Sequence, residues 1–244
     1  MGHKKEISLD TEHLALDGDT KTRLLDAAET LYAAAGYEQL SMRELTRLAR
    51  TNLGAASYHF GGKEALVQSM LARRFDPINT ARLTLLDELE GSHAGHPTCE
   101  QVLAAIIAPV SLPHFDVLDD SPASRFAMSV GLDLAPEVRE FLRRRNAEVS
   151  ERFTAAFVRL APHLPESDAR WRLHTLCFAT PGVPLNANTI TMLRGAPLPA
   201  ARLRVEAVAA LGHLMRAALH AAAPDGTVVP AIEGALHRAR DLLQ

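Results

Sequence analysis

At 244 residues the chain is long enough for one large domain, or for a small domain set on a larger one. Apolar residues make up 47% and aromatics only 5%, a mix rich in alanine and leucine that favours helix over sheet. The formal net charge of −3 excludes a polycation that coats nucleic acid with its whole surface, so charge has to be read by segment.

From Thr20 to Arg74 eight bases face five acids, a net +3, which leaves the remainder of the chain acidic. A modestly basic segment on an acidic body fits contact with DNA through one end only. Cys99 and Cys177 lack metal-ligand spacing and read as two reduced core thiols of a cytoplasmic protein. No metal or other cofactor is expected. The longest apolar stretch, Val102 to Val110, falls far short of the ~20 residues a membrane helix needs, so no membrane partner is expected.

In chain order, Met1 to Asp19 is polar and lacks an apolar targeting core; it reads as a loose arm. The first helix is predicted over Thr20 to Ala35, where Leu24, Leu25, Ala28, Leu31 and Tyr32 recur at spacings of three and four. Asp19 or Thr20 can cap it, and Gly36 can stop it in the left-handed conformation. Ser41-Met-Arg-Glu44 has the form of a capping box and opens a second, short helix. A third runs from about Leu53 to His59 with Asn52 as cap, closed by Gly61-Gly62. A fourth covers Lys63 to Leu89, and Pro77 should bend it.

Beyond Gly91 to Pro97, helices are predicted at Cys99 to Val110, Ala123 to Leu134, Pro136 to Ala161 and Ser167 to Thr180. Prolines 181 and 184 interrupt an apolar stretch that resumes at Leu185 to Leu193. A strong helix spans Ala201 to Ala221, and a short one is expected near Ala231 to Leu243. The fold class is therefore all-α.

The informative segment is the pair of short helices joined by a tight turn. Such a unit presents its last helix as a rod of major-groove width. In Asn52-Leu-Gly-Ala-Ala-Ser-Tyr-His-Phe60, Gly54 lets backbone approach DNA while Ala55 and Ala56 pack inward. Asn52 and Ser57 can hydrogen-bond phosphates or base edges, and Tyr58 and His59 can meet the duplex backbone. Lys63 stands at a helix start, where free N–H groups already favour phosphate. Spacing alone leaves this segment evenly divided between a DNA reader and an ordinary helical hairpin with a solvated face.

Thr22-Arg-Leu-Leu-Asp-Ala-Ala-Glu-Thr-Leu-Tyr32, Gly36-Tyr37, Ser41-Met-Arg-Glu-Leu45, Asn52 to Phe60 and Gly62-Lys-Glu-Ala-Leu66 together resemble the TetR family of bacterial repressors, in order and without a gap. The resemblance implies an all-α homodimer: an N-terminal three-helix DNA-binding domain at 20–66 and a C-terminal ligand-binding and dimerisation domain at 67–244, with 1–19 as the arm. It implies DNA-facing roles for Thr22, Ser41, Arg43, Asn52, Leu53, Gly54, Ser57, Tyr58, His59 and Lys63. The partners would be a double-stranded DNA operator and a small, apolar effector. One position departs from the pattern: the family usually has glycine in the turn where this chain has Arg50. Arginine in a left-handed turn costs roughly 1 kcal/mol, which suggests a compensating phosphate contact by Arg50.

A weaker resemblance, through Ala72-Arg-Arg-Phe-Asp-Pro-Ile-Asn79 and Arg170-Trp-Arg-Leu-His-Thr-Leu176, is to a branch that includes PsrA-like, fatty-acid-responsive regulators. It implies an acyl chain or acyl-CoA as effector. Trp171, His174 and Phe178 are the candidate pocket residues, although core packing is the commoner role for Trp171 and His174 at that spacing. Arg143-Arg-Arg145 reads as a solvated helix face. Small residues Ala209, Ala210, Gly212 and Ala217 permit close helix approach between subunits. No phosphate-binding glycine loop, zinc-binding His-Glu-x-x-His or nucleophile elbow appears, so the chain does not read as an enzyme. The expected function is a ligand-responsive repressor. The alternative is an all-helical binder or enzyme for an apolar metabolite, without DNA readout.

Overall fold

In the computed structural model, residues 19–92, 97–110, 122–182, 195, 199–221 and 227–242 are described. They form helices without strands: α1 (Thr20–Gln39), α2 (Met42–Leu48), α3 (Leu53–Phe60), α4 (Lys63–Gly91), α5 (Cys99–Ile107), α6 (Pro122–Leu132), α7 (Pro136–Arg145), α8 (Ala147–Leu160), α9 (Glu166–Gly182), α10 (Ala200–His220) and α11 (Val228–Leu242). None of the described helices is long and apolar enough to cross a membrane. The apolar stretch at Leu185 to Leu193 lies outside the described residues.

The helix signals in the sequence are obeyed locally, with three instructive departures. Asp19 caps α1, its Oδ1 accepting the Thr22 N–H at 2.8 Å. Gly36 takes the positive φ expected of it, 72°, and breaks the helix there; a short helical piece to Gln39 follows and is counted with α1. Ser41 sits at the N-cap of α2 without a side-chain cap bond, so the expected capping box is not closed. Glu44 lies near Arg47 instead, at 4.0 Å, and on this exposed turn water competes for the free amides. A closed box forms where none was expected: the Thr98 N–H donates to Gln101 Oε1 at 2.8 Å, and the Gln101 N–H to Thr98 Oγ1 at 3.2 Å. The predicted helix over Pro136 to Ala161 is two helices, broken at Asn146. Helix α4 continues through Pro77.

Two hydrophobic cores result. The first joins Leu24, Leu31, Tyr32, Leu45, Ala56, Leu66 and Met70 of α1 to α4 with Phe126, Val130, Ala135 and Val138 from the α6–α7 hairpin. The second gathers Leu86, Leu103, Phe153, Phe157, Met215 and Leu219 from the end of α4, α5, α8 and α10. The α6–α7 hairpin thus packs on the N-terminal helices although it lies a hundred residues away in sequence. Between the cores, buried Asn79 donates its amide N–H to Asn146 Oδ1 at 2.8 Å. Arg82 spans the same seam, donating to Asn79 Oδ1 (3.1 Å) and to the Ile106 carbonyl (2.8 Å).

Polar groups bind α1 to its neighbours. Arg73 and Arg74 of α4 both engage Glu29, through Nε at 3.1 and 2.9 Å, and Arg73 also pairs with Asp26 at 2.8 Å. Asp133, just after α6, accepts from the Tyr32 hydroxyl at 2.7 Å and the Tyr37 N–H at 2.8 Å. Burial raises the Asp133 pKa, but the bonds from the Ala135 N–H, Tyr32 and the Tyr37 N–H outweigh it and hold the carboxyl below its usual range. Arg143 and Arg144 pair with Glu140 and Arg145 with Asp76, a solvated face as the sequence suggests. Gly212 does not serve an open face: a Cβ there would meet Glu100 Cγ of the same chain at 3.4 Å, because α10 packs on α5.

Candidate nucleic-acid interface

The turn between α2 and α3 follows from which carbonyls the end of α2 leaves free. The Arg50 N–H donates to the Arg47 carbonyl at 3.2 Å, and the Thr51 N–H to the Thr46 carbonyl at 2.9 Å. These two bonds make a Schellman motif, which needs a left-handed residue just beyond the cap. Arg50 holds that position with φ 49°, the one non-glycine residue with positive φ among those described. Its side chain is exposed. A non-glycine residue here costs about 1 kcal/mol relative to glycine, which the two turn bonds offset.

Asn52 then starts α3, its Oδ1 accepting the Ala55 N–H at 2.8 Å. Ala56 and Phe60 are buried against the first core, which fixes which side of α3 faces outward. Leu53, Gly54, Ser57, Tyr58 and His59 are all exposed, with Tyr58 at 87%. An aromatic that open on an ordered helix gains nothing from the core and has its hydroxyl free to bond. Gly54 has a local reason as well: a Cβ there would come within 3.2 Å of the capping Asn52 oxygen. The outer face of α3 is therefore slim at Gly54 and polar from Ser57 to His59.

The other sequence candidates fall in several settings. Ser41 and Arg43 are exposed on the first turn of α2, and Thr22 is half-buried on the first turn of α1. Lys63 is not free-standing: Nζ donates to the Glu38 carbonyl at 3.1 Å and lies 4.6 Å above the Tyr37 ring. It ties the start of α4 to the end of α1. Two basic residues that meet or flank the turn were not among the candidates. Arg47 is exposed beside the turn, and Arg23 reaches from α1 to the turn itself, Nε donating to the Ala49 carbonyl at 3.2 Å. Their membership of the basic segment was the only signal for either.

Comparison with known proteins agrees with this geometry. Residues 24–70 match the family described as bacterial regulatory proteins, tetR family, and residues 113–183 match the tetracyclin repressor-like C-terminal domain. Two successive stretches of the chain are thus similar to regulators of the tetR family. Two Pseudomonas putida proteins, the HTH-type transcriptional regulator SrpR and the uncharacterized HTH-type transcriptional regulator TtgW, are each 27% identical over 100 residues. That stretch is 41% of this chain; it spans just under half of SrpR (46%) and 72% of TtgW. Among solved structures, Mycobacterium smegmatis AmtR is similar with a TM-score of 0.54 at 18% identity, covering 91% of this chain and 96% of that one. A transcriptional regulator from Rhodococcus sp. Rha1 is similar with a TM-score of 0.53 at 21% identity, covering 82% and 96%. At these identities the two structures establish a shared fold.

Of the residues nominated for an effector pocket, the two whose side chains are described both face solvent. Trp171 is 70% exposed and His174 is exposed, so neither packs in the core as their spacing suggested. The inward side of α9 is taken by Ala169 and Leu173, and the tryptophan is turned outward by the helical period. Trp171 lines an open groove of about 350 Å³ with Arg172, Thr175, Leu214 and Ala218; His174 does not border it. The side chain of Phe178 lies outside the described residues. A smaller recess of about 210 Å³, bordered by Cys99, Glu100, Arg216 and His220, lies where α5 meets α10. Burial pushes the Cys99 thiol up to about 11, so it is protonated and unreactive at neutral pH. Among the described residues no group of three or more His, Cys, Asp or Glu could hold a metal ion.

Proposed function

We propose that the chain is a DNA-binding transcriptional repressor, acting as a homodimer and released from its operator by a small apolar effector. The observation that carries the reading is α3: its back is anchored by Ala56 and Phe60, while Gly54, Ser57, Tyr58 and His59 stand open on an ordered rod. Residues 20–66 would be the reading unit and 67–244 the effector and dimerisation unit. Arg43, Leu53, Gly54 and Ser57 would lie near bases; Thr22, Ser41, Arg50, Asn52, Tyr58, His59 and Lys63 would hold or support phosphates. The two α3 helices of a dimer would enter successive major grooves about 34–36 Å apart on a near-palindromic operator.

Dimerisation is supported by the exposed apolar face of α9 and α10, where Trp171, Val205 and Leu214 stand open beside exposed Ala209, Ala210 and Ala217. An open apolar face of this kind is what a subunit contact covers. The acyl-chain or acyl-CoA class of effector rests on the sequence resemblance at Ala72 to Asn79 and Arg170 to Leu176. Gel-shift against DNA flanking the chain's own gene tests the core of the proposal. A salt-sensitive, sequence-selective shift supports it; no selectivity over unrelated DNA refutes it. A thermal-shift panel of fatty acids, acyl-CoAs and aromatic compounds tests the effector class, because a ligand that binds the native state raises the melting temperature. The ligand found must also release DNA, by the reciprocity of linked binding.

A further inference from the structure

We propose that Arg23 is a positioning residue for DNA reading: from α1 it fixes the peptide that opens the α2–α3 turn, and through it the placement of Arg50 and α3. The proposal rests on the reading of α3 as the DNA-reading helix. Arg23 and Ala49 are 26 residues apart in sequence, yet Nε of Arg23 donates to the Ala49 carbonyl at 3.2 Å. The same guanidinium is steadied from below, Nη2 donating to Thr20 Oγ1 at 3.3 Å.

The turn explains why that carbonyl needs an outside donor. Ala49 is wholly buried and ends α2. The turn amides of Arg50 and Thr51 close on the carbonyls of Arg47 and Thr46, so neither serves Ala49. A buried acceptor without a donor is costly, and Arg23 supplies one from the neighbouring helix. The Ala49 oxygen belongs to the same rigid peptide plane as the Arg50 nitrogen. Holding that oxygen therefore sets the plane on which the left-handed φ of 49° at Arg50 is built. With glycine at position 50 the turn would keep its shape unaided; with arginine there, the support from α1 matters.

This assigns Arg23 a different part from the phosphate contact that its charge suggests, and the two are separable. The full chain is compared with Arg23→Met, which keeps the packing stem, and Arg23→Lys, which keeps charge but loses the planar donor. Hydrogen exchange of the Thr51 amide is read in the free protein, so it does not depend on DNA. Arg23→Met is expected to speed it about tenfold, the size of one net hydrogen bond, and adding Arg50→Gly to restore most of the protection. Unchanged Thr51 exchange in both variants overturns the proposal.

With operator DNA, Arg23→Met and Arg23→Lys are both expected to weaken binding about tenfold with the same salt slope, and by less than about threefold in the Arg50→Gly background. A salt slope shallower by about one makes Arg23 a phosphate contact and overturns the proposal, as does an equal loss in both backgrounds. If the unaltered chain selects no DNA, the functional reading fails, while the exchange result still decides what Arg23 does to the turn.

Discussion

Asp133 offers a quantitative test of how the α6–α7 hairpin is joined to α1. Its carboxylate accepts three bonds, from the Tyr32 hydroxyl at 2.7 Å, the Tyr37 N–H at 2.8 Å and the Ala135 N–H at 2.9 Å. Tyr32 is fully buried, and burial, reinforced by the Asp133 bond, raises its pKa well beyond the ordinary phenol range. Asp133→Ala leaves two donors on α1 unpaired, at about 1–3 kcal/mol each, so a loss of about 3–4 kcal/mol is expected. Asp133→Asn keeps one acceptor oxygen and should lose about half as much.

The pH dependence has a definite sign. The folded pKa of Asp133 is depressed, so its contribution is complete above the unfolded carboxylate pKa and is lost as pH falls through the folded value. The gap between the unaltered chain and Asp133→Asn should therefore hold from neutral pH to about 5 and narrow below about 4. The assay is urea unfolding at fixed chain concentration, followed by helical circular dichroism at several pH values. A loss under 0.5 kcal/mol for Asp133→Ala, or a gap that does not narrow in acid, would refute the argument.

Other positions give independent tests. Asn52→Ala should cost about 1 kcal/mol through loss of the α3 cap, while Ser41→Ala should be nearly neutral because its side chain makes no cap bond; equal losses in thermal unfolding would contradict the cap assignments. Arg50→Gly should raise stability by about 1 kcal/mol while making the salt slope of operator binding shallower by about one; unchanged salt dependence would remove Arg50 from the DNA contacts. With Cys177 replaced by alanine, Cys99 should react slowly with a thiol reagent at pH 8 and faster as pH approaches its value of about 11. Rapid labelling at pH 7 would show the thiol to be more open than the structure has it.

Much of the reading unit was legible because its signals are local. The 3.6-residue recurrence of Leu24, Leu25, Ala28 and Leu31, the Asn52 cap and the left-handed turn at position 50 each involve residues within a turn or two of one another. Periodicity and backbone sterics act at that range, so sequence alone could place α1 to α4, while Arg50 stood out only through the resemblance to a family that usually has glycine there. Even there, chemistry with alternatives was open: whether Ser41 closes a capping box depends on where Glu44 turns, and Glu44 lies near Arg47.

What required the folded chain was every contact between distant segments. Nothing near Asp133 in sequence announces that it binds α1, and nothing near Arg23 announces Ala49. The outward turn of Trp171 was equally hidden, since helical spacing groups residues on a face but does not say which face the neighbours cover. The same holds for the break at Asn146, which pairs with Asn79 across the seam between the two cores. A helix knows its own period; which carbonyls, carboxylates and aromatic rings find partners is decided only when the helices pack and buried polar groups must be satisfied.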